Sequence, residues 1–234
     1  MNVSPSILRR CLAIAVVMLI LKTCWTVASL LPAYLTPNFD TDFLLGREPH
    51  FYGPYQYAFY IHILSGPFSL LVGMWLLSHS LRERCPKVHR QLGRVQVACI
   101  IGLVVPSGLW MSRFAQAGNV AAAAFATLAV VTGWTAYRGW RQAVRGNFAS
   151  HRMWMLRTFT LLCSAAVIRL LGGLASISGI YWEWFDPLAA WASWLIPLAI
   201  LEVTYPRIQR QRPTDQRPAR RGPILSTENA RYRR

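Results

Sequence analysis

The sequence predicts an all-α polytopic integral membrane protein with six transmembrane helices, in which spans two to five form a four-helix core. Three observations predict it. The 234-residue chain is 54% hydrophobic and only 15% charged, against about 25% charged in an ordinary soluble domain. Six apolar stretches reach the roughly 17–25 residues that cross a bilayer as a helix. The 25 Lys and Arg, set against 9 Asp and Glu for a net charge of +16, gather in alternate connections, as the positive-inside rule requires. Together these exclude a soluble enzyme, a disordered chain and a disulfide scaffold.

The spans fall at 11–31, 55–78, 95–114, 119–137, 154–179 and 187–205. Arg9 and Arg10 before the first apolar run resemble a signal peptide. However, no small-x-small cleavage site follows, and the apolar character resumes after Lys22 as far as Leu31, so 1–31 is expected to be a retained anchor helix. Residues 55–206 form the multi-span domain. The remainder, 207–234, is rich in Arg, Pro and Gln without apolar periodicity, and reads as a disordered tail. The five cysteines form no CxxC pair, and neither a disulfide framework nor a zinc site follows from them.

Sorting the charges orients the chain. Arg9 and Arg10, the 82–94 run, Arg138, Arg141, Arg145, Arg152 and the nine tail arginines fall on one side. The other side holds only Arg47 and Arg113, together with five acids. This predicts a six-span membrane protein with both termini cytoplasmic. It also turns a charge that would suggest nucleic acid into a topology signal. The expected partners are the bilayer itself and anionic headgroups at the cytoplasmic face, each basic residue near the surface contributing on the order of 1 kcal/mol.

Polar groups inside a bilayer are costly and mark function. In span two, steps of three and four place Tyr55, Phe59, His62, Gly66, Ser69 and Gly73 on one face. A face of small and polar residues looks toward protein, not lipid. At the cytoplasmic edge, Arg82, Arg84, Pro86, His89, Arg90, Gly93 and Arg94 lead into span three, and His151-Arg152-Met153-Trp154-Met155 leads into span five. His89 and His151 therefore enter from one side at similar depth. Two histidines on facing helices can hold a haem iron axially, with Arg90 and Arg152 neutralising its propionates. The same His-Arg pairs also suit lipid phosphate and helix anchoring. Arg169, near mid-bilayer in span five, has no carboxylate at its depth. It approaches the level of His62, and the two are expected to line a second, outer-facing polar pocket able to take an anion, a propionate or a quinone carbonyl. Phosphate-binding loops, His-Glu-x-x-His, Gly-x-Ser-x-Gly and intramembrane acid pairs do not occur in the sequence.

Over about 55–207 the chain resembles a family of predicted bacterial membrane proteins catalogued as a domain of unknown function, DUF2306. The likeness rests on His62-Ile63 with Gly66, on His89-Arg90-x-x-Gly93-Arg94, and on the His151–Met155 run followed by Arg169. More distantly it is similar to cytochrome b561-type cores, four-helix electron carriers with paired histidine ligands. That similarity implies His89 and His151 as one cytoplasmic-side pair. Span four carries no histidine to complete an outer pair with His62, so one haem b is implied and not two. The resulting expectation is a haem b-binding electron-transfer protein with a redox partner or quinone. The competing expectation is a non-redox module that binds lipid, quinone or a partner protein through the same residues.

Overall fold

The structure, a computed structural model, describes residues 5–40, 43–180 and 182–210. In chain order the helices are α1 (Pro5–Leu35), α2 (Glu48–Phe51), α3 (Pro54–Leu76), α4 (His79–Arg84), α5 (Pro86–Cys99), a π-helical segment (Ile100–Val104), α6 (Val105–Ser112), α7 (Gly118–Val144), α8 (Phe148–Leu162), α9 (Ser164–Ser178) and α10 (Phe185–Arg210). The stretch from α5 to α6 is one span and α8 with α9 another. Among the described residues, six helices are thus long and apolar enough to cross a membrane, as the apolar runs predict.

The helices outrun those apolar runs at the charged end. Span three starts at Pro86 rather than 95, and span five at Phe148 rather than 154. Hydropathy registers only the part of a helix that meets hydrocarbon, while Arg and Lys lay their stems along the helix and keep their charges in water. Local chemistry sets the true starts. Pro86 occupies the first helical position, where its missing N–H costs nothing. Asn147 caps α8, its Oδ1 accepting from Ser150 N at 3.2 Å. The short helices α2 and α4 lie in stretches that the sequence reads as plain loop.

Pro106 shapes the middle of span three. Its ring removes a backbone donor, which an unbroken α-helix would answer with a bare carbonyl one turn back. The backbone widens just before it, Val105 N–H bonding to the Ile100 carbonyl five residues earlier. Such π turns concentrate where a helix positions a functional side chain.

Spans two to five pack as the predicted four-helix core: α3 against α5 and α6, α6 against α7, α7 against α8, and α8 back against α3, with α1 laid on α3 and α9. Small residues let the backbones close, as membrane packing requires in the absence of a hydrophobic driving force between helices. A Cβ on Gly73 would stand 2.8 Å from the Phe159 ring, one on Gly139 2.6 Å from Met155 Sδ, and one on Gly133 3.2 Å from Val105. Ala121 and Ala124 of α7 form a buried cluster with Ala190 of α10. Large apolar side chains such as Met18, Trp25, Val130, Val144 and Ile177 stand exposed on the outer faces. Such faces suit acyl chains as solvent.

The chain divides into two units, Met1–Ala199 and Ile200–Arg234. In the second, 200–210 continues α10 as helix; the part of the predicted arginine-rich tail at 211–234 lies outside the described residues.

The loop before α3 folds into an aromatic cap over one end of the core. Leu44, Phe51 and Phe59 are fully buried there with Tyr34 and Tyr55. Phe59 stacks on Phe43 at 5.4 Å and meets Tyr34 and Phe51 edge-on at 5.2 and 5.7 Å. Arg47 ties this cap to the α6–α7 turn, a connection 67 residues away in the chain. Its Nε donates to the Phe43 carbonyl at 2.7 Å, and one terminal nitrogen donates to Tyr55 Oη at 3.0 Å and to the Phe114 carbonyl at 2.9 Å. Its guanidinium lies 4.5 Å from the Phe43 ring centroid.

Candidate functional site

The polar residues of the core form three levels along the bundle. At the basic end, where α4 leads into α5 and α7 turns into α8, the fold brings His89 and His151 within electrostatic range of each other, with Arg82 beside them. His151 Nδ1 lies 2.9 Å from the Gly139 carbonyl. A carbonyl only accepts, so Nδ1 carries a proton, and in the neutral ring Nε2 keeps its lone pair. Gly139 permits this approach, since a side chain there would run into Met155. His89 is half-buried and its Nδ1 is wholly buried without a hydrogen-bond partner.

The two arginines expected beside these histidines, Arg90 and Arg152, are exposed at the same end. Arg82 also lies close enough to act on His89. Arg82 belongs to the basic run that the sequence singled out, but only helix α4, which hydropathy does not register, turns it toward α5. Arg138 and Arg157 stack on Trp154 from 5.1 and 4.4 Å. The indole that follows His151-Arg152-Met153 is therefore held by two cations.

The middle level joins Ser69, on the polar face of span two, to residues that the sequence did not single out. Gln96, 1% exposed, donates from Nε2 to the Ser69 carbonyl at 2.8 Å. Ser69 Oγ lies 3.5 Å from Cys99 Sγ, and Thr158 Oγ1 donates to Thr135 Oγ1 at 3.0 Å. Gln96 falls one residue inside the expected third span, and a buried amide in an apolar helix is itself a signal.

At the third level, toward the aromatic cap, His62 Nδ1 lies 3.0 Å from Ser107 Oγ, directly beyond the π segment. Ser107 spends its own proton on the Leu103 carbonyl at 2.6 Å. The hydroxyl therefore accepts from His62 Nδ1–H, and the ring also bonds the Val104 backbone. The approach is tight, a Cβ on Gly108 standing 3.3 Å from the imidazole. His62 belongs to this level and not to the His89–His151 pair.

Arg169 lies within electrostatic range of His62, Tyr34 and Cys24. Its guanidinium donates to the Ala165 carbonyl at 2.8 Å, one turn back in its own helix. That direction leads away from the nearer end of the span. His50 stacks on Phe114 at the cap, and His79 pairs with Glu83 at 3.0 Å; neither joins a level of the core. Among the described residues, no three His, Cys, Asp or Glu side chains stand together as a metal group.

These levels, enclosed in a bundle of apolar spans, define a polytopic membrane protein with a polar interior. Residues 59–205 match the DUF2306 family, described as predicted membrane proteins. The chain belongs to that family. No curated protein and no solved structure matches it.

Proposed function

We propose that this protein is a redox protein of a bacterial inner membrane that holds one haem b at its basic end, with His89 and His151 as axial ligands and both chain termini in the cytoplasm. The observation that carries the reading is the state of the nitrogens of two imidazoles that lie within electrostatic range of each other. His151 is held in one tautomer by the Gly139 carbonyl, which leaves Nε2 open, and the buried Nδ1 of His89 beside it has no partner. A carbonyl that fixes the tautomer of a histidine is the usual support of a metal-ligating imidazole. Two ligands without a third suit an axially held haem better than a tetrahedral ion.

Haem supplies one-electron chemistry when bound. The chain's own residues do the rest. Gly139 orients His151, and Arg82 with the exposed Arg90 and Arg152 provides positive charge for propionates. Trp154, held by Arg138 and Arg157, fixes the depth of α8. His62 and Arg169 lie at another level and suit an anionic or carbonyl-bearing molecule such as a quinone.

The test is the absorption spectrum of the protein purified from haem-replete membranes. A Soret band is expected, lost in His89→Ala and in His151→Ala but kept in His62→Ala. A colourless, folded protein overturns the reading and leaves the same basic end as a surface for anionic lipid headgroups. Orientation has a separate check. A reporter fused after Arg234 is expected to be active in the cytoplasm, and periplasmic activity would reverse the topology.

A further inference from the structure

The middle level joins the other two. The bond from Gln96 to Ser69 puts these residues at one depth. His89 lies seven residues from Gln96 toward the basic end, and His62 seven residues from Ser69 toward the cap. At 1.5 Å per residue this gives a line about 21 Å long from imidazole to imidazole. Ser65 stands between Ser69 and His62 on the α3 face that meets span three.

Two buried groups on this line are unsatisfied. Gln96 Oε1 and, in a residue 6% exposed, Ser65 Oγ have no hydrogen-bond partner. A buried amide oxygen and hydroxyl without partners are costly anywhere and more so within a bilayer. Buried polar groups of this kind are ordinarily satisfied by ordered water. There is room beside the line: a Cβ on Gly66, one turn from His62, or on Gly93, one turn from His89, would meet nothing within 4 Å. Beyond His62 the line meets Phe59, fully buried under the aromatic cap.

We infer that a file of water molecules runs between spans two and three past Gln96, Cys99, Ser69 and Ser65, giving His62 a proton path to the basic end, and that Phe59 closes it toward the other. The inference is independent of what His89 and His151 hold. It gives Gln96 and Ser65 a role as polar lining, and it makes the cap a proton seal.

Two native cysteines provide the test. Cys99 and Cys24 are both 9% exposed, but Cys99 touches the file through Ser69, whereas Cys24 faces the Pro67 carbonyl on the α1 side. Pulsed hydroxyl-radical footprinting of the intact protein is expected to oxidise Cys99 at least tenfold faster than Cys24, because the radical forms from water beside the sulfur. Equal rates would overturn the file. In proteoliposomes containing a pH-sensitive dye under an imposed potassium diffusion potential, the parent protein is expected to be proton-tight. Phe59→Ala should leak at least tenfold faster, and Gln96→Leu added to it should restore tightness. A tight Phe59→Ala protein, or a leak that survives Gln96→Leu, would overturn the seal and path.

Discussion

Replacing Gly73 with leucine is expected to destabilise the protein by about 2–3 kcal/mol, the upper part of the range for overpacking a well-filled core. The first added carbon already stands 2.8 Å from Phe159 and 3.3 Å from Gln96 Nε2. Neither neighbour can yield easily. Phe159 packs against the buried cluster of Ile20, Cys24 and Leu70, and Gln96 is tied to the Ser69 carbonyl. The strain therefore spreads to α1, α5 and α8 together. Denaturation in mixed micelles, followed by tryptophan fluorescence, measures it. Gly173→Ala is the control, since nothing lies within 4 Å of its added carbon; it should be neutral or stabilising by up to about 1 kcal/mol through helix propensity. Equal midpoints for the two variants would contradict the close approach of α3 and α8.

The second large effect is expected at Arg47. Arg47→Ala removes three charge-assisted donations, of which the one to Phe114 joins the pre-α3 loop to the α6–α7 turn, and a cation–π contact to Phe43. Hydrogen bonds to charged groups contribute roughly 1.5–3 kcal/mol each, but shared geometry and partial exposure make them non-additive, so a loss of about 2 kcal/mol is expected. Arg47→Lys should recover less than half of it, because an ammonium cannot reach three acceptors with the geometry of a planar guanidinium. Tyr55→Phe, which removes a single acceptor, should cost about 1 kcal/mol. The same midpoint measurement reads all three variants, and full recovery by lysine would reduce Arg47 to a point charge.

The fold was legible because the bilayer imposes a length and a polarity on each span, and those survive in the order of residues. The ends of the spans were not legible. Helices α5 and α8 begin among arginines, where hydropathy falls but helical hydrogen bonding continues. The His89–His151 level was readable because both residues follow basic turns at one end of the bundle. Arg82 was harder, since its position depends on α4. Arg47 was illegible for another reason. In the sequence it is one of two basic residues in acidic loops and so looks like a topological exception, while its partner Phe114 lies far along the chain. Gln96 needed only the rule that a polar side chain in a span requires an explanation.

The π segment carries a consequence for reading this chain by periodicity. It holds one residue more than the α-helix would, so everything beyond it in span three is turned by about 100° from the phase set by α5. Steps of three and four counted across Ile100 therefore no longer keep to one face. Gly108, about a third of a turn from the Gln96 face in an unbroken α-helix, meets His62 because the extra residue brings it round. Shortening 100–104 by one residue would keep the length, apolarity and topology of the span almost unchanged, yet it would present His62 with a different set of side chains.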